Sequence, residues 1–141
     1  LILPVGSGGT IAGLISADKQ QHQILGVAVL KQADYLREKI KLLLPEPAKQ
    51  YNNWQLLTDF HGGGYGKFSK QNADDILSFN QQTSLTFEPV YSGKMLLATL
   101  TLIAKGKFPA GSAIVLLHTG GLQGINGLIE QKRLAQVDWQ L

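Results

Sequence analysis

The sequence predicts an α/β domain of three layers, a mostly parallel sheet with helices on both faces. Three observations carry that expectation. Short, wholly apolar runs recur between polar segments, as in strands covered on both sides. Between them apolar residues return every three or four positions, as in helices packed on a sheet. The two patterns alternate along the chain, which favours parallel pairing through helical crossovers. With 141 residues, 44% hydrophobic and 16% charged, the chain can enclose one core of ordinary size, and residues 1–141 are read as a single α/β segment.

The elements follow in order. Leu1 to Val5 is an apolar strand that breaks at Gly6-Ser7-Gly8-Gly9-Thr10, after which Ile11, Leu14 and Ile15 mark a helix starting at Thr10. Ile24 to Leu30 is a second buried strand. From Ala33, the residues Leu36, Ile40 and Leu43 form the inner face of an amphipathic helix, Arg37 to Lys41 its solvated face, and Pro45-Glu46-Pro47 its stop. A third strand is expected from Trp54 to Phe60, followed by the cluster Gly62-Gly63-Gly64-Tyr65-Gly66. Asn72 is placed as the cap of a helix with Asp74 and Asp75 in its first turn and Ile76 and Phe79 inward. Leu85 to Phe87 reads as a short strand and Lys94 to Ala104 as a helix carrying Leu96, Leu97, Leu100 and Ile103. Ala113 to Leu117 reads as a last buried strand, and His118-Thr119-Gly120-Gly121 as the entry to a helix through Ile125 and Leu128. Trp54 and Trp139 are read as packing residues, His22 as surface.

Composition excludes several function classes. The charge of +3 is spread along the chain, whereas a nucleic-acid groove needs a concentrated basic stripe, so no nucleic-acid partner is expected. With no cysteine, and with His22, His61 and His118 far apart, no metal site is expected. No apolar run reaches the roughly 18 residues of a membrane span, and no secretory signal is visible; a soluble, cytoplasmic protein without membrane contact is expected. The chain opens on Leu1 within a strand already under way, without an initiator methionine, and is expected to be a segment of a longer protein.

Ligands of open parallel sheets collect beyond the carboxyl ends of the strands. Four glycine-bearing loops are expected there: Gly6 to Thr10, His61 to Lys67, Pro89 to Gly93 and His118 to Gly121. The first is a candidate phosphate cradle, since glycine lets backbone amides approach an anion and a helix start aims free N–H groups at it. A P-loop would need Lys-Ser/Thr after the glycines, and a dinucleotide fingerprint a glycine at Ile11 with an acid after the second strand, where Lys31 stands. A compact site for one phosphate group remains, beside the reading that the glycines only allow a tight turn.

Taken together, PVGSGGTIAG, FHGGGYGKF, EPVYSGK and LHTGG resemble the pyridoxal-phosphate enzymes of the tryptophan-synthase-β type, and more narrowly the 1-aminocyclopropane-1-carboxylate deaminase and D-cysteine desulfhydrase family. The resemblance runs in order over nearly the whole chain and implies the C-terminal portion of such an enzyme. It implies pyridoxal 5'-phosphate as cofactor, a small amino acid as substrate and a homodimer. By motif, Ser7, Gly8, Gly9 and Thr10 hold the phosphate, Thr119 hydrogen-bonds the pyridine nitrogen, and Tyr65 and Tyr91 face the substrate as catalytic residues. The lysine that carries the cofactor lies in the family's N-terminal part, so none of Lys19, Lys31, Lys67, Lys70 or Lys94 takes that role. The deaminase branch carries Glu after the motif tyrosine. Ser92 stands there in this chain, which favours D-cysteine desulfhydrase over aminocyclopropane-carboxylate deaminase. The competing reading is a non-catalytic small-anion-binding domain of the same fold. At single residues the plainer readings are loop packing for Tyr65 and Tyr91, a helix cap for Thr119, and structural hydrogen bonding for His61 and His118.

Overall fold

The computed structural model describes residues 1–46 and 50–139. Three parallel strands, β1 (Ile2–Val5), β2 (Ile24–Ala28) and β3 (Trp54–Leu57), lie in that order. Helix α1 (Gly9–Ala17) connects the first pair and α2 (Leu36–Leu43), entered through a 3-10 turn at Ala33–Tyr35, the second. Three helices complete the chain, α3 (Lys70–Thr83), α4 (Ser92–Ala104) and α5 (Gly124–Glu130).

Strand side chains alternate between faces, and two separate cores result. Leu3, Val5, Ile24, Ala28 and Leu56 point toward α1 and α2, joining Ile11, Ile15, Leu36 and Ile40. Ile2 and Val27 point the other way, joining Ile76 of α3, Met95 and Leu96 of α4 and Ile125 of α5. This is the three-layer arrangement with helices on both faces that the apolar runs predict. Gly26 sets the depth of the first layer, because a methyl there would come within 2.6 Å of Ile11 Cδ1.

Several elements depart from expectation. The Ala113 to Leu117 segment is no full strand. It adds to the free edge of β1 through one parallel bridge, Ile2 to Leu116, with Ile2 N–H to Val115 O and Leu117 N–H to Ile2 O both at 2.8 Å. Val115 is half exposed, as suits an edge and not an interior strand. Leu85 to Phe87 forms no strand, because its main chain is satisfied by a side chain. The Asn80 amide accepts from Phe87 N–H and donates to Phe87 O, both at 3.0 Å. β3 ends at Leu57, three residues before the expected Phe60, where the chain turns onto the rim.

Helix α3 is capped by Ser69, not Asn72. Ser69 Oγ accepts from Asn72 N–H at 3.0 Å while Asn72 Oδ1 accepts from Ser69 N–H at 3.3 Å, a reciprocal capping box. Asp74 and Asp75 therefore fall past the first turn and pair with Lys70 and Gln71. Helix α1 begins at Gly9, one residue before Thr10, and α4 at Ser92, two before Lys94. Leu43, Leu100 and Ile103 are exposed and do not belong to the inner faces of their helices. Arg37 is not merely solvated: its guanidinium donates to Leu56 O at 2.7 Å and ties α2 to the outer edge of β3. Pro47 of the expected helix stop lies outside the described residues. No helix among those described is long and apolar enough to cross a membrane.

Candidate functional site

The parallel register pairs Val5 with Ala28 and Val27 with Leu57, so Gly6, Val29 and Thr58 leave the sheet on one rim. The bridge at Leu116 is also parallel, which brings His118 and Thr119 out on that rim beside the end of β1. A cavity of about 550 Å³ is formed there by Tyr65, Glu88, Tyr91, Thr119, Gly121 and Arg133, with their neighbours. Three loops expected at the site thus meet, and with them Tyr65, Tyr91 and Thr119.

Ser7, Gly8, Gly9 and Thr10 are not among the residues that line this cavity. They adjoin it through Gly6, whose Cα lies so close to Tyr91 that a methyl there would overlap the phenol oxygen and reach within 3.0 Å of Cζ. The loop leads directly into the start of α1. Gly8 caps α1 in the left-handed region at φ 91, and the first helical bond is Ala12 N–H to Gly8 O at 3.1 Å. The amides of Gly9, Thr10 and Ile11 precede that bond, and Ser7, Gly9 and Thr10 are exposed.

Tyr91 stands immediately before α4, and its main chain is fixed by a buried carboxylate. Glu88 accepts from Val90 N–H at 2.7 Å, Tyr91 N–H at 2.8 Å and Ser92 N–H at 2.6 Å. These are the amides at the positive end of the helix, where a negative charge is favoured. Ser92, 1% exposed, accepts from Glu88 N–H at 3.0 Å and donates to the Glu88 carboxylate at 3.2 Å, so its hydroxyl is committed to this turn. Burial, then the neighbouring Tyr65 and the Glu88 charge, push the Tyr91 phenol above its usual value near 10. It stays protonated at neutral pH.

Tyr65 is 65% exposed and meets Tyr91 edge to face, ring centroids 6.3 Å apart. Its loop is held from both sides by cations. Lys94 Nζ donates to Gly64 O at 2.7 Å, and Arg133 Nη2 to Gly66 O at 2.6 Å while lying 4.6 Å over the Phe68 ring. Lys94 also donates to Val29 O at 3.3 Å. Burial pushes its ammonium down to about 8, against a smaller upward pull from Glu88.

Thr119 does not cap the last helix, which starts five residues later with Gln123 at its head and no side-chain cap. Thr119 is exposed and lines the cavity. His61 and His118 are held by main-chain contacts. His118 Nε2 lies 3.0 Å from Thr86 O while Nδ1 accepts from Gly120 N–H at 3.1 Å, which assigns the proton to Nε2. His61 Nδ1 accepts from Gly63 N–H at 3.0 Å. Trp139 is buried in the core and Trp54 packs against the other layer, as read from the sequence.

The sequence motifs give no role to Glu88 or Arg133, and they place Lys94 only at the start of a helix and not as the cofactor lysine. An acid four residues before the first residue of a helix is a detectable capping signal, and a lone lysine at the head of an apolar run is a detectable oddity. Arg133 carries no local signal.

No family model matches the chain. A Pyrococcus abyssi protein, provisionally assigned as a 1-aminocyclopropane-1-carboxylate deaminase, is 32% identical over 130 residues, 86% of this chain and 38% of its own length. The Arabidopsis thaliana bifunctional D-cysteine desulfhydrase/1-aminocyclopropane-1-carboxylate deaminase, a mitochondrial protein, is 26% identical over 99% of this chain and 36% of its own. A solved structure described as an ACC deaminase homologue superposes with a TM-score of 0.78 at 29% identity, covering 92% of this chain and 42% of that one. The chain spans about two fifths of the length of these relatives, and the family resemblance read from its motifs is borne out.

Proposed function

We propose that this chain, a relative of the 1-aminocyclopropane-1-carboxylate deaminases and D-cysteine desulfhydrases, is the C-terminal portion of a pyridoxal-phosphate enzyme that removes ammonia from a small amino acid. The observation that carries the reading is the shared cavity of Tyr65, Tyr91 and Thr119 on the carboxyl rim, with the Gly6 to Thr10 loop against Tyr91. The lysine that carries the cofactor belongs, in this reading, to the part of the enzyme outside the chain.

The residues present fit the cofactor. The exposed start of α1 offers unpaired amides and the Ser7 and Thr10 hydroxyls to a phosphate. Thr119, not engaged as a cap, offers its hydroxyl to the pyridine nitrogen. A neutral hydroxyl there does not stabilise a protonated ring as a carboxylate would. When bound, pyridoxal phosphate supplies an electron sink for bonds at the substrate α-carbon. The chain's own residues orient and protonate. Tyr91, kept in its phenol form, donates a hydrogen bond or proton to the departing group, and Tyr65 stands edge-on against it in the cavity lining.

The substrate we propose is D-cysteine, which with one water gives pyruvate, sulfide and ammonia. Ser92 supports it: the position that carries Glu in the deaminase branch holds a small hydroxyl turned into the Glu88 cap. The second reading, 1-aminocyclopropane-1-carboxylate deaminase, is favoured by the names of the relatives. The test is to supply the full-length protein that carries this chain with each substrate. Sulfide and ammonia from D-cysteine support the first, ammonia from the cyclopropane substrate alone the second, and neither product together with no cofactor absorbance overturns both. The homodimer and cytoplasmic location expected from the sequence belong to the same proposal.

A further inference from the structure

Lys94 is only 4% exposed, and both of its acceptors among the described residues are main-chain carbonyls, Gly64 O and Val29 O. An ammonium in that setting is costly. It is desolvated without a carboxylate bonded to it, and it sits in the first turn of α4, where the helix dipole opposes a positive charge. Its depressed ionisation records that cost. An apolar residue would fill the space more cheaply, so the gain from the lysine lies in where it holds the chain.

What it holds is specific. Gly64 immediately precedes Tyr65, and Val29 follows directly on β2, so one Nζ pins the glycine loop to the rigid sheet end. The lysine stem runs along the same loop, its Cε 3.5 Å from where a methyl on Gly62 would stand. The loop needs such an anchor: Gly62, Gly63, Gly64 and Gly66 all have positive φ, conformations that glycine leaves readily. On the same helix start, Glu88 fixes Tyr91. The two tyrosines of the cavity are thus set from one seven-residue stretch.

We propose that Lys94 is a positioning residue for Tyr65: through the Gly64 carbonyl it holds the Tyr65 ring edge-on to Tyr91 and so sets the width of the cavity between them. The inference rests on the reading of Tyr65 as a substrate-facing residue, and the experiment separates the two. In the full-length enzyme, Tyr65→Ala, which removes the ring, Lys94→Met and the double variant are compared for kcat and KM with D-cysteine or the cyclopropane substrate, whichever is turned over. Lys94→Met is expected to lower kcat by about 10-fold or more with cofactor absorbance retained. In the double variant the two losses are expected not to multiply, because the lysine acts only through Tyr65. Full activity of Tyr65→Ala would overturn the reading of Tyr65 itself, and with it the proposal. Multiplicative losses, or an unaltered Lys94→Met, would overturn the role of Lys94 while leaving Tyr65 standing. If Lys94→Met does not fold, Lys94→Arg, which keeps a cation and its donors, goes through the same cycle. Failure of both to fold marks the lysine as purely structural and overturns the proposal.

Discussion

Gly6→Ala is the sharpest perturbation of the candidate site. Gly6 does not have a positive φ, so alanine is compatible with its backbone, and the three nearest atoms a methyl would meet all belong to the Tyr91 side chain. The methyl would overlap the phenol oxygen and stand 3.0 Å from Cζ, where heavy atoms rest at roughly 3.5 Å or more. The phenol must withdraw by more than ~1 Å, a shift of the order that costs ~10²-fold in turnover when it misplaces a reacting group. Tyr91 is only half-buried, so the stability loss is that of modest overpacking, about 1–2 kcal/mol. The assay is kcat of the full-length enzyme beside urea unfolding. Tyr91→Phe alone is expected to lose a comparable ~10²-fold with cofactor binding intact, the range for a lost acid–base or donor group. Because phenylalanine lacks the clashing oxygen, Gly6→Ala in that background is expected to cost little further activity and less stability. Wild-type turnover in Gly6→Ala, or losses that multiply in the double variant, would refute the argument that the first loop and Tyr91 share one site.

Thr119→Ala is expected to shift the absorbance spectrum of the bound cofactor, and an unchanged spectrum would place the hydroxyl elsewhere. Ser69→Ala removes the capping box of α3 and is expected to cost about 1 kcal/mol in urea unfolding, with turnover unaffected. Lys94 makes stability pH-dependent. Its folded value of about 8 lies below its ordinary 10.5, so between these the folded state binds fewer protons than the unfolded chain, and stability rises with pH. The full span is up to about 3 kcal/mol. Above pH 10 the raised ionisation of Tyr91 acts in the opposite sense. Unfolding measured from pH 7 to 10 is expected to show the rise, and Lys94→Met to remove it.

β1 and β2 are legible in the sequence because they are buried on both faces. LILPV and ILGVA are apolar without interruption, and Gly6 to Thr10 marks the turn between strand and helix. Later segments misled for a physical reason: apolar content does not distinguish an interior strand from an edge. Ala113 to Leu117 keeps one bridge to the sheet, and the main chain of Phe87 is satisfied by Asn80. Tyr65, Tyr91 and Thr119, which line one cavity, are singled out by whole motifs. Glu88 and Lys94 stand in one of those motifs, which does not show the contacts they make. Their role depends on burial and on which carbonyls and amides they reach, and spacing along the chain carries neither.

The arrangement around the start of α4 also has a consequence for how the chain tolerates change. Successive residues of a helix are rotated by about 100°. One residue inserted between Tyr91 and Lys94 would swing the lysine away from the Gly64 carbonyl while leaving Tyr91 on its carboxylate anchor, so the two phenols would lose their common frame. The far end of the same helix, with Leu100 and Ile103 facing outward before the Gly106 turn, bears no such constraint. Length variation there is expected to leave the contacts of Tyr91 and Lys94 in place.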